Sequence, residues 1–67
     1  MESIKLEYMG YTSIISRNEN LNGRYSGGIC EPGETEEMDS WGFAADDVEE
    51  AQSRFESQVE KIIDYKL

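Results

Sequence analysis

From Asp46 onward the apolar residues Val48, Ala51, Phe55, Val59, Ile62 and Ile63 recur at steps of three and four, which gathers them on one stripe of an α-helix. Such a stripe cannot bury itself. A chain of 67 residues has room for one domain and one small core, because at this length only about 60% of the surface exposed by the unfolded chain is buried. The residues before Asp46 must supply the surface on which the helix lies, and their pattern is that of strands. Ile4, Leu6 and Tyr8 alternate with Lys5 and Glu7, and residues 11–16 are a β-prone run of Tyr, Thr, Ser and Ile. The expected fold is α+β, a three-stranded antiparallel sheet with one C-terminal helix packed on it (βββα), in a single domain spanning residues 1–67.

The expected strands cover about 3–16, 21–30 and 39–43, and the helix about 47–64. Gly10 allows a bend, so that one long bent strand or a short strand followed by a longer one fits 3–16. Arg17-Asn18-Glu19-Asn20 reads as a hairpin connection, since Asn supports turns and tolerates positive φ. In the second strand Leu21, Tyr25 and Ile29 share a face, and Gly23, Gly27 and Gly28 point to a bulge or to the close approach of another element, such as the helix. Gly27-Gly28 lacks the Lys-Ser or Lys-Thr ending of a phosphate-binding loop. Pro32-Gly33 marks a turn inside an acidic loop, 31–38, and Trp41 and Phe43 at period two suggest a short third strand ended or kinked by Gly42. Asp46 is the expected N-cap, with Asp47, Glu49 and Glu50 against the positive end of the helix dipole.

Charge is segregated along the chain. Residues 31–50 hold nine carboxylates (Glu31, Glu34, Glu36, Glu37, Asp39, Asp46, Asp47, Glu49 and Glu50) and no Lys or Arg. On either side three acids balance three bases, so the net charge of -9 comes from the middle. Charge of one sign gathered in this way repels itself and weakens the compact state. It also repels nucleic acid and anionic membranes, so direct binding to either is not expected and basic proteins are the expected partners.

The residue inventory removes several chemistries. There is no His and a single Cys, Cys30, so Ser-His and Cys-His nucleophile pairs and most transition-metal sites are unavailable, as is an internal disulfide. The acidic run could offer oxygen ligands to calcium, but it lacks the spacing of an EF-hand loop. No cofactor and no metal is expected, and the chain reads as a non-enzyme. A lone thiol fits a reducing compartment. The first residues lack the features of a signal peptide, and no apolar run approaches the roughly 18 residues needed to span a bilayer. A cytoplasmic location is expected.

At Tyr8-Met9-Gly10-Tyr11-Thr12-Ser13-Ile14-Ile15 the chain resembles the opening strand of the HicB-like antitoxin family, with its Tyr-x-Gly-Tyr segment before an alternating strand. The resemblance continues through 21–29 and resumes over 42–65, where Val48-Glu49-Glu50-Ala51 followed by Phe55, Val59 and Ile63 looks like the family's helix. It implies three antiparallel strands and a helix in a partial ferredoxin-like arrangement, and a role in neutralising a small cognate ribonuclease toxin. Two features depart from it. The DNA-binding segment common at the C-terminus of HicB-like antitoxins is missing from this sequence, and the acidic run 31–39 replaces a less charged connection.

A compact scaffold with a concentrated negative field is similar to small phage-encoded inhibitors, including anti-CRISPR proteins that mimic nucleic acid. Proteins that bind DNA present grooves of Lys and Arg, which carboxylates can enter in place of phosphates. The expected function is therefore a non-enzymatic DNA mimic that blocks a basic nucleic-acid-binding protein or CRISPR effector complex. The partner-binding acids would be Glu34, Glu36, Glu37, Asp39, Asp46, Asp47, Glu49 and Glu50, extended along the helix by Glu56 and Glu60. Capping alone would account equally well for Asp46 and Asp47, and a charge run is more often a solvated face that serves solubility. The chain is expected as a monomer or weak homodimer, and Trp41, Phe43 or Tyr11 could form a subunit contact.

Overall fold

A computed structural model describes residues 3–66, with the backbone alone at Leu21. The chain forms strands β1 (Ser3–Tyr8), β2 (Tyr11–Asn18), β3 (Arg24–Cys30) and β4 (Glu37–Ala45), followed by helix α1 (Val48–Lys66). The α+β class, the antiparallel sheet and the single C-terminal helix are as the periodicities predict. The strand number is not: the sheet has four strands, in the order β1-β2-β3-β4. Each connection within it joins neighbours, so the described residues contain no crossover of the ferredoxin-like kind.

The extra strand arises at Met9-Gly10. Both residues have positive φ, 52° and 86°, which is the backbone of a type I′ turn whose twist matches that of the strands it joins. The expected bend is a complete reversal, and Tyr8 pairs with Tyr11 across it. Such turns usually carry Asn-Gly or Asp-Gly, so Met at the first position hid the hairpin from a reading by composition. Gly10 also lies under the loop that follows β3, since a Cβ there would stand 3.2 Å from Pro32 Cγ.

Three other boundaries differ from expectation. β3 begins at Arg24 rather than at residue 21, because Glu19–Leu21 form a short 3-10 turn. The Asn18 side chain accepts a hydrogen bond from Asn20 N–H at 2.9 Å, and Asn22 closes the turn in the left-handed region. The expected placement of the Leu21 side chain beside Tyr25 and Ile29 falls outside the described residues. β4 is longer than 39–43 at both ends, so the loop shortens to 31–36. Its ladder with β3 slips between Gly28 and Cys30, since Gly28 faces Gly42 while Cys30 faces Glu37. The irregularity breaks the period-two pattern that would have revealed Glu37 and Met38 as strand residues.

The helix packs on one face of the sheet through Ala51, Phe55, Val59 and Ile62. These join Leu6, Tyr11, Ile15, Tyr25, Ile29 and Ala45 in a single core, with Trp41 and Phe43 packed against it. Phe55, Ile15, Ile29, Ile62 and Val59 are fully buried, each worth about 1.5–3 kcal/mol relative to exposure. The rings of Phe43 and Phe55 lie 6.1 Å apart and tilted by 36°. Gly27 answers the expectation of close approach, but the neighbour is β2 and not the helix: a Cβ would meet Ile14 O, Ile15 Cγ2 and Ser13 Oγ at 2.9 Å. Lys5, Glu7 and Ile14 are exposed and belong to the opposite face of the sheet. No helix among the described residues is long and apolar enough to cross a membrane.

Candidate partner-binding surface

The loop after β3 is held at its start. Lys66, at the end of α1, hydrogen-bonds and ion-pairs with Glu31, and this partner raises the Lys66 pKa. Pro32 stacks over the β1–β2 turn at Gly10. Glu34 N–H closes the Pro32-Gly33 turn onto the Glu31 carbonyl at 3.0 Å. Beyond the turn, Glu37 accepts a hydrogen bond from Gly28 N–H at 3.2 Å. Its carboxylate occupies the space a side chain at residue 28 would need, as a Cβ there would stand 2.7 Å from Glu37 Cδ. One acid of the expected site thus also seals the slip in the β3–β4 ladder.

Glu34, Glu36 and Asp39 are exposed, and among the described residues none has an ion-pair partner. With Glu31, Glu37 and Met38 they line a shallow concavity beside the loop. The described acids do not approach closely enough anywhere to form a group that could hold a metal ion. The loop therefore presents fixed negative charge to solvent without the geometry of a cation site.

The remaining acids lie elsewhere. β4 carries the chain away from the loop over about 26 Å, at roughly 3.3 Å per residue, before Asp46 and Asp47 start the helix. There the expected N-cap is corrected by one residue. Asp47 Oδ1 accepts from Glu50 N–H at 2.8 Å, and Asp47 O accepts the first helical bond, from Ala51 N–H at 3.0 Å. The Glu50 carboxylate reaches back past the cap to Asp46 N–H at 3.2 Å, one residue before the N–H that a capping box uses, and pairs with Arg54 at 3.3 Å. Asp46 stands 2.8 Å from Arg24 Nε, although the N–H points off the carboxylate and leaves Nε without a directed hydrogen bond. Glu49 is exposed.

Glu56 and Glu60 form a third group, over β1. Glu56 accepts from Gln52 Nε2 at 2.7 Å. The charge of Glu60, then desolvation, then the charge of Glu56 raise the pKa of Tyr8, and Glu60 also shares a hydrogen bond with it. The ten residues expected to form one surface are thus distributed over the loop, the helix start and the β1 side of the helix. Three acids of the block, Glu31, Asp46 and Glu50, are matched by bases from the balanced flanks. Of these pairs only Glu50–Arg54 was legible, from its spacing of four; the other two span the fold. A wider polar concavity at the opposite end of the sheet is lined by Ser16, Arg17, Asn18, Asn20 and Ser26, residues that carry no motif. Tyr11, Trp41 and Phe43, considered above as subunit contacts, are packed in or against the chain's own core.

Comparison with protein-family models, with curated proteins and with solved structures gives no match.

Proposed function

We propose that this chain is a non-enzymatic inhibitor of the anti-CRISPR-like type, a DNA mimic whose acidic loop occupies the basic nucleic-acid-binding site of a partner complex in the cytoplasm of a bacterial host. The observation that carries this reading is the convergence of Glu34, Glu36 and Asp39, all exposed, with Glu31 and Glu37 around one concavity. Asp46, Asp47 and Glu50 at the helix start have structural duties in the cap and in ion pairs, whereas Glu34, Glu36 and Asp39 are exposed acids whose charge no described ion pair answers. Anchoring at Lys66, Gly10 and Gly28 reduces the ordering cost of binding. A groove of Lys and Arg would exchange phosphate contacts for these carboxylates, and no group would be chemically transformed.

A second reading keeps the resemblance to HicB-like antitoxins. The segment that carries it, Tyr8 to Ile15, builds the β1–β2 hairpin, and the helix it implies packs on the sheet. In that case the partner is a small ribonuclease. Capture from bacterial lysate at low salt separates the two: a nucleic-acid-guided complex supports the mimic, and a small ribonuclease supports the antitoxin. Recovery of no basic protein would contradict both.

A further inference from the structure

The four-stranded sheet has two free edges, β1 and β4, and they are chemically unlike. The ionisable residues of β4 are Glu37 and Asp39, and its ladder slips near them. β4 carries no base, so neither acid can meet an opposite charge on a second β4 in any register. That edge is guarded. β1 has no slip along its pairing with β2, and its exposed charges, Lys5 and Glu7, are opposite in sign.

The turn decides which backbone groups β1 leaves open. Residues flanking a two-residue hairpin turn exchange both hydrogen bonds, so Tyr8 faces Tyr11, and by alternation Leu6 and Ile4 also face β2. Ser3, Lys5 and Glu7 therefore direct N–H and C=O outward. A two-fold copy can bond to this edge only by setting these residues against one another. Registers that centre on Lys5 or on Glu7 place like charges directly opposite. The register centred on Leu6 places Lys5 opposite Glu7 of the second copy and Glu7 opposite its Lys5, with about four backbone hydrogen bonds at the two pairs. On the helix side it brings together Ile4 and Tyr8, which are only partly buried within one chain. The helix packs chiefly on β4 but also reaches β1, where Glu56 and Glu60 lie beside Tyr8, so in this register these acids flank the seam on its helix side.

We infer that β1 pairs antiparallel with β1 of a second copy of this chain, in the register that sets Lys5 opposite Glu7, doubling the sheet with both helices on one face. Sedimentation equilibrium of the full chain over rising concentration tests this. The wild type is expected to dimerise. Lys5→Glu and Glu7→Lys are each expected to weaken association roughly tenfold or more, because each replaces two attractive pairs with repulsive ones. An equimolar mixture of the two variants should recover a heterodimer. The double exchange Lys5→Glu/Glu7→Lys should recover a homodimer, which keeps the test decisive if one single variant fails to fold. A wild type that stays monomeric would overturn the inference, as would single variants that dimerise like the wild type or a mixture and double exchange that both remain monomeric.

Discussion

Met9 and Tyr8 show how much of this fold turns on single side chains. Met9 holds a φ of 52° and leaves 63% of its surface exposed, so it bears left-handed strain and buries little in return. Asn tolerates that conformation better and is favoured in type I′ turns, so Met9→Asn should stabilise the chain by up to about 1 kcal/mol, read from denaturant unfolding. Tyr8 and Lys66 both hold their protons more tightly in the folded chain, Tyr8 mainly through the charge of Glu60 and Lys66 mainly through its hydrogen bond to Glu31. A raised folded-state pKa contributes stability that is complete below the unfolded value and is lost as pH rises through the folded one. The loss should therefore begin near about pH 10, the ordinary range of both groups. In Glu60→Gln the Tyr8 titration, followed by tyrosinate absorbance against a Tyr8→Phe blank, should move down toward the ordinary value. An unmoved midpoint would remove Glu60 as the cause.

At the scale of elements, the helix, the Pro32-Gly33 turn and the β2–β3 connection were legible, and the reversal at Met9-Gly10 was not. Six apolar residues at helical spacing specify both α1 and the face it buries, because the side chains that make the pattern also make the contact. The β1–β2 reversal depends on backbone dihedrals that Met-Gly does not advertise, and the far end of β4 is masked by the slip opposite Gly28. The helix start was readable to within one residue, since Asp46 and Asp47 are both capable caps. What separates them is that the chain gives its first helical bond to the Asp47 carbonyl. Asp47→Ala should accordingly cost about 1 kcal/mol of stability. Asp46→Ala should cost less than about 0.5 kcal/mol, because its side chain is 70% exposed and its pair with Arg24 lies at the surface. Equal losses in thermal or denaturant unfolding would mean that the cap is shared.

For the molecule as a whole, the linear block of acids became two separate groups, with Glu56 and Glu60 as a third, on a body about 36 Å long. The sequence shows the density of charge in residues 31–50 but not which charges the fold answers, because Lys66 and Arg24 come from distant positions to meet Glu31 and Asp46. What remains uncompensated is concentrated at the loop, and this is where a basic groove would find it. Position, and not net charge alone, should then control binding. Once the captured partner is purified, its affinity for Glu34→Lys/Glu36→Lys should be compared, at physiological salt and at low salt, with that for Glu19→Lys/Asn20→Lys/Ser53→Lys, which changes the net charge equally at exposed sites outside the loop. The loop variant should lose binding and release no nucleic acid from the partner, whereas the distant variant should retain both, with an affinity that falls as salt screens charges beyond about 8 Å. Equal affinities for the two variants, or a partner that keeps its nucleic acid when the wild-type chain is bound, would contradict the mimic.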